Sequence, residues 1–189
     1  MADKPLAEFY MMTGTFSDQN DFINKLTKAL SDGNKVVQLK NNNIKETNEY
    51  SDLVRAAQSV CNQFNSTLLL AASLARFEQS NADGLHLNSR VLFEYVKRPV
   101  SDSRLLSVSC HDLQEMKQAE KLGADILLLS PVKATKSHPE LTAIGWQKFS
   151  QMIKQVGCPV YALGGMKVTD LIDARQAGAQ GVAVSSFWQ

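Results

Sequence analysis

The chain has 189 residues, 44% of them hydrophobic and 21% charged, which is enough to bury one sizeable core and ordinary for a folded domain. Lys and Arg number 20 against 19 Asp and Glu; the resulting net charge of +1 provides no whole-molecule field for nucleic acid or an anionic membrane, so small-molecule ligands fit better. The three cysteines Cys61, Cys110 and Cys158 lack the paired spacings of a zinc site or a disulfide framework. The start Met-Ala-Asp-Lys-Pro-Leu-Ala has no signal-like apolar stretch, and no run approaches the roughly 18 apolar residues of a membrane span; reduced thiols and a cytoplasmic location are expected.

Short apolar runs alternate with longer segments of helical period along the chain. The first strand is expected over Glu8 to Thr13, followed by a helix that Ser17 can cap, with Phe22, Ile23, Leu26, Ala29 and Leu30 on one face and a stop at Gly33. Lys35 to Leu39 reads as the second strand, and Glu46 to Phe64 as a helix carrying Leu53, Ala56, Ala57, Val60 and Phe64. Strands over Thr67 to Ala71, Gly84 to Leu87 and Arg104 to Val108 come next, then a helix over His111 to Leu122 ending at Gly123. Ala124 to Ser130 and Pro159 to Leu163 are the sixth and seventh strands. A helix over Thr169 to Ala177 ends at Gly178, and Gly181 to Val184 is the last strand.

Runs such as Ile126-Leu-Leu-Leu129 are apolar at every position rather than at alternate ones, as in parallel strands covered on both faces. Eight such strands in a βα rhythm point to an α/β fold, a compact (β/α)8 barrel occupying residues 1–189 as one domain. After the eighth strand only Ser185-Ser-Phe-Trp-Gln189 follows, too short for a covering helix. The barrel is therefore expected to lack its last helix, and the uncovered strand would offer a contact for an oligomer or a partner.

Active sites in such barrels gather at the C-terminal ends of the strands, with phosphate frequently held after strands seven and eight by backbone amides. Gly164-Gly165 and Ser185-Ser186 fall there and form the candidate phosphate cradle, an ordinary tight turn and a surface cap being the bland alternatives. His111, just after a strand, has the chemistry of a general acid and base near neutrality, or is a helix-start residue bonded to backbone. His86, flanked by apolar neighbours, reads as a core histidine satisfied by hydrogen bonds, and His138 as a loop residue that closes over a ligand or is simply solvated. No histidine pair has metal-ligand spacing and no carboxylates cluster at the strand ends, so no metal and no cofactor is expected.

The segments Ala82-Asp-Gly-Leu-His-Leu87, Ser107-Val-Ser-Cys-His-Asp112, Gly123-Ala-Asp-Ile-Leu-Leu-Leu-Ser-Pro-Val132, Ile144-Gly-Trp146, Pro159-Val-Tyr-Ala-Leu-Gly-Gly-Met166 and Ala177-Gly-Ala-Gln-Gly-Val-Ala-Val184 resemble the thiamine phosphate synthase and thiazole tautomerase superfamily. That resemblance implies a (β/α)8 barrel. Its synthases join a pyrimidine diphosphate to a thiazole phosphate with Mg²⁺ at the leaving diphosphate, whereas its tautomerases shift a proton on a thiazole carboxylate phosphate without metal. Gln38, Lys40, Ser109, Thr135 and His138 match, or stand in for, substrate-binding positions, and Gly164, Gly165, Ser185 and Ser186 match the thiazole phosphate cradle. Leu70-Ala71-Ala72 and Leu87-Asn-Ser-Arg-Val-Leu92 replace the two segments that carry acidic metal ligands in synthases. The resemblance thus implies a metal-free, tautomerase-like reaction with His111 as proton carrier, and alternatively a thiamine phosphate synthase with an altered metal site and Mg²⁺ as its cofactor. The loop Ser130-Pro-Val-Lys-Ala-Thr-Lys-Ser-His-Pro139 and the ending Phe187-Trp188 resemble most the synthase-like modules fused to Nudix hydrolases. This adds a third alternative, a non-catalytic binding module whose partner is a Nudix hydrolase.

Overall fold

The computed structural model describes residues 7–40, 47–135 and 141–188. Eight parallel strands, β1 (Phe9–Met12), β2 (Val36–Lys40), β3 (Thr67–Ala71), β4 (Gly84–Leu87), β5 (Leu105–Cys110), β6 (Ile126–Leu129), β7 (Val160–Ala162) and β8 (Gly181–Val184), close into a barrel in chain order. The ring shuts where Tyr10 of β1 stands beside Ala183 of β8. Around it lie α1 (Gln19–Ser31), α2 (Thr47–Gln63), α3 (Leu74–Glu78), α4 (Ser89–Leu92), α5 (Leu113–Lys121), α6 (Gly145–Ile153) and, after a 3₁₀ turn over Val168–Asp170, α7 (Leu171–Gln176).

Alternation along each strand divides the apolar residues between two packed layers. Tyr10, Val36, Leu69, Ile126, Leu128, Tyr161 and Ala183 fill the barrel interior. Their neighbours, including Met11, Val37, Leu68, Leu70, Leu85, Leu106, Val108, Leu127, Leu129 and Val182, face outward under the helices. Two layers explain why the strands read as uninterrupted apolar runs.

The lower rim is fastened by one device used twice. Asp83, just before β4, accepts the Leu68 amide of β3 at 2.8 Å. Asp125, just before β6, accepts the Leu106 amide of β5 at 2.7 Å and pairs with Arg98 at 2.8 Å. The Ala-Asp pairs in the sequence motifs are thus structural, satisfying strand-start amides that have no ladder partner.

Helix starts follow capping chemistry. Asp18 caps α1 by accepting the Asp21 amide at 2.9 Å, one residue after the expected Ser17, whose own amide is taken by the Asp21 carboxylate. Asp112 caps α5, so the helix begins two residues later than the sequence suggests, with His111 outside it.

The outer side of β8 is covered, contrary to the expectation of a free strand. All four β8 residues are buried, and in place of a helix the chain end folds over the β8–β1 seam. The Trp188 ring packs 5.1 Å from Phe22 and its indole N–H donates to the Thr15 carbonyl at 2.9 Å, while Phe187 meets Phe9 edge-on at 5.4 Å. Among the described residues no helix is long and apolar enough to cross a membrane.

Candidate functional site at the barrel mouth

The strand register brings most of the candidate residues to one end of the barrel. Lys40 ends β2; Ser109 is next to last in β5, with His111 just past the strand end; Thr135 lies in the loop after β6; Gly164-Gly165 and Ser185-Ser186 follow β7 and β8. Because β7 pairs with β8, with Ala162 beside Val182, the glycine and serine pairs leave adjacent strands at the same end. Ser185 and Ser186 are exposed, and Gly164 and Gly165 are half-buried and exposed in turn. His138 lies outside the described residues.

The two glycines have φ of +89° and +66°, a region that favours glycine. A Cβ on Gly164 would stand 2.6 Å from the Pro131 Cα, and one on Gly165 2.5 Å from the Ala134 carbonyl oxygen. The missing side chains therefore make room for the loop after β6, which continues the β6–β7 ladder: the Val132 amide donates to Leu163 at 2.9 Å and the Lys133 amide to Gly164 at 3.1 Å. Among the described residues no protein acceptor takes the Gly164 or Gly165 amide. Lys133, which the sequence reading left without a role, bridges the two loops by pairing with Asp170 at 2.8 Å, its ammonium lying 5.9 Å from the centre of the Trp146 ring. Burial alone would raise the Asp170 carboxyl, but the Lys133 contact and the Lys167 amide outweigh it and hold it below the usual carboxylate range.

Beneath the mouth sits a polar cluster around His86, which is the buried, hydrogen-bonded core histidine that the sequence predicts; its partners Tyr10 and Ser107 are what sequence inspection missed. The Tyr10 hydroxyl donates to the Gln38 side-chain oxygen at 3.0 Å and lies 3.2 Å from the Ser107 hydroxyl and 3.3 Å from His86 Nδ1. His86 Nδ1 is also 3.0 Å from Ser107, and its Nε2 is 2.9 Å from the Ser109 hydroxyl. Gln38 is thus a buried member of this cluster. Burial, with a smaller push from the Lys40 charge, drives the His86 pKa down to about 3, so the ring is neutral. Burial likewise pushes the Tyr10 hydroxyl far above its ordinary range. The signal for this cluster is inward alternation: Tyr10, Gln38, His86 and Ser107 are the polar residues at interior positions of four strands.

His111 is held at the start of α5. Its amide donates to Glu115 Oε2 at 2.6 Å and its Nδ1 lies 3.0 Å from the same oxygen. Its side chain keeps 37% of its exposure, so the imidazole is oriented and reachable.

The strand ends that hold acidic metal ligands in synthases do not fit a divalent ion here. Ala71 ends β3 and Ala72 follows it, and Asn88, which caps α4 through the Arg90 amide, follows β4. Among the described residues no group of three His, Cys, Asp or Glu side chains could hold a metal ion.

Comparison with known proteins gives the family. A family model described as thiamine monophosphate synthase matches residues 9–187. The chain belongs to the thiamine monophosphate synthase family. It is 31% identical over 183 residues to "Putative thiamine-phosphate synthase 2" of Aquifex aeolicus, covering 97% of this chain and 98% of that one. It is 28% identical over 189 residues to the thiamine-phosphate synthase of Bacillus licheniformis, covering 98% and 84%. The solved structure of a thiamine phosphate pyrophosphorylase from Pyrococcus furiosus shares the fold at 21% identity, with a TM-score of 0.80 over 96% of this chain and 88% of that one.

Proposed function

We propose that this barrel receives a thiazole-phosphate-like ligand at its C-terminal mouth and works in thiamine metabolism as a thiamine-phosphate synthase. The observation that carries the binding half is the pairing of β7 with β8, which sets Gly164-Gly165 beside Ser185-Ser186. Glycine amides without a protein acceptor among the described residues, and two exposed hydroxyls, are donors suited to phosphate oxygens. The transferase half is supported by the names of relatives that match nearly the whole chain. In this reading Lys40, Ser109, Thr135 and His138 wall the site. Lys40 brings a fixed positive charge to the β2 end, where it is felt by His86. No step is assigned to Mg²⁺, because Ala71, Ala72 and Asn88 do not supply its ligands.

A second reading, a metal-free proton shift on a thiazole ring, is favoured by those same missing carboxylates and by the His111–Glu115 pair. His111 would take a proton from the ring and return it elsewhere, with Glu115 fixing the imidazole. A role as a module beside a Nudix hydrolase has the resemblance of the 130–139 loop and Phe187-Trp188 as its sole support, and the oligomer contact expected on an uncovered β8 loses its basis because that strand is buried.

One pair of assays decides between the chemistries. Condensation of pyrimidine diphosphate with thiazole phosphate in Mg²⁺ buffer is expected to yield thiamine phosphate. If thiazole phosphate binds without condensation, and a thiazole carboxylate phosphate exchanges a ring proton that His111→Ala abolishes, the isomerase reading replaces it. Neither turnover nor binding would overturn both.

A further inference from the structure

The polar cluster under the mouth has more contacts than protons, and counting them fixes the direction of each. Four protons are available: one each on Tyr10, Ser107 and Ser109, and one on the neutral His86 ring. Gln38 Oε1 can only accept, so it takes the Tyr10 proton. The Tyr10 oxygen then faces Ser107 at 3.2 Å and His86 Nδ1 at 3.3 Å as an acceptor. If the His86 proton sat on Nε2, the single Ser107 proton could go either to Nδ1 or to the Tyr10 oxygen. Whichever it chose, two of the three contacts among the Tyr10 oxygen, Ser107 and Nδ1 would be lone pair against lone pair in a buried site, where an unmade bond is costly.

With the proton on Nδ1 every contact is made. Ser107 donates to Tyr10, and Nδ1–H is shared between Ser107 and Tyr10. Nε2, left as an acceptor, takes the Ser109 hydroxyl proton at 2.9 Å. Ser109 is half-buried at the upper end of β5, and its proton is now directed into the barrel. Its oxygen lone pairs are what remain for the mouth.

We propose that His86 is a positioning residue, locked as the Nδ1–H tautomer by Tyr10 and Ser107, which turns Ser109 into a hydrogen-bond acceptor that selects a ligand group carrying an N–H or O–H donor. The ligand atom opposite Ser109 is then an amine, amide or hydroxyl rather than a phosphate oxygen, which leaves anion binding to the β7 and β8 ends. Only this last step rests on the mouth being the ligand site; the tautomer belongs to the free protein.

The test is ¹⁵N NMR of the histidine rings in the ligand-free protein at neutral pH, with His86 assigned through His86→Gln. The expected spectrum has a protonated Nδ1 and an unprotonated Nε2. Tyr10→Phe, which keeps the ring and removes the clashing oxygen, is expected to let a detectable share of the Nε2–H form appear. A protonated Nε2 in the wild type, or tautomer populations unmoved by Tyr10→Phe, overturns the proposal. Inorganic phosphate supplies the second arm. Ser109→Ala should keep its affinity within about twofold, whereas a loss of about tenfold or more, the effect of removing a donor to an anion, would also overturn it. Failure of thiazole phosphate to bind would count against the proposed function and leave the tautomer result standing.

Discussion

The ammonium of Lys133 lies 2.8 Å from the Asp170 carboxylate, tying the loop after β6 to the turn that opens α7. The two residues flank the Gly164-Gly165 turn, so one ion pair braces both sides of the candidate phosphate cradle. Asp170 also accepts the Lys167 amide at 2.9 Å and is 8% exposed; asparagine in its place keeps an acceptor for that amide but removes the charge that holds Lys133.

Asp170→Asn is therefore expected to weaken inorganic phosphate binding by loosening the wall, and to cost about 1 kcal/mol of stability, the Lys133 end being well solvated. The sign with pH follows from a lowered carboxyl: its contribution is complete above the ordinary carboxylate range and is lost as pH falls through the folded value. Calorimetric titration and urea unfolding of wild type and variant at pH 7 and pH 3 check both effects, the stability difference shrinking at the lower pH.

Gly164→Ala and Gly165→Ala separate backbone conformation from packing. Gly33 shares a positive φ, +98°, but a Cβ there meets nothing within 4 Å. Gly33→Ala should cost about 1 kcal/mol for conformation alone. At Gly164 and Gly165 the added carbon also meets Pro131 and Ala134, which raises the cost to about 2–3 kcal/mol and displaces the β6 loop. Denaturant midpoints of the three variants rank them.

His86 makes stability depend on acid. Its unfolded pKa is near 6.5 and burial holds the folded value at about 3. Between those values the unfolded chain binds a proton that the native barrel does not, so this contribution is full above about pH 6.5 and falls as pH drops towards 3. The slope is at most about 1.4 kcal/mol per pH unit. Urea unfolding of wild type and His86→Gln between pH 4 and 7 should show the shallower dependence in the variant.

Trp188 performs the covering task of the helix absent after β8 among the described residues. Trp188→Ala removes its contacts with Phe22 and Gly14 and its bond to Thr15, with an expected cost of about 3–5 kcal/mol. Thermal unfolding measures it, and a surface-exposed Trp188 would instead leave the midpoint almost unchanged.

The barrel was legible because a strand covered on two faces has no polar positions, and each of the eight apolar runs lies within two residues of its observed ends. Helices α3, α4 and α6 were not read: Leu74–Glu78 and Ser89–Leu92 are too short to show a period, and Gly145–Ile153 opens after Ile144 with no side-chain cap to mark its start. The mouth residues followed from the strand ends alone. Tyr10 and Ser107 did not, because their partners are as far as 97 positions away and meet only when the ring closes. The Lys133–Asp170 pair escaped notice for the same reason: nothing local in a loop lysine names an acid 37 residues on.

Titration of the wild-type chain and Ser186→Glu with thiazole phosphate tests the placement of the ligand most directly. The β7–β8 end predicts saturable one-to-one binding that inorganic phosphate competes away. A carboxylate placed at Ser186 should repel the phosphate and reduce that affinity by about tenfold or more. Equal affinity in both proteins, or no binding to the wild type, would contradict it.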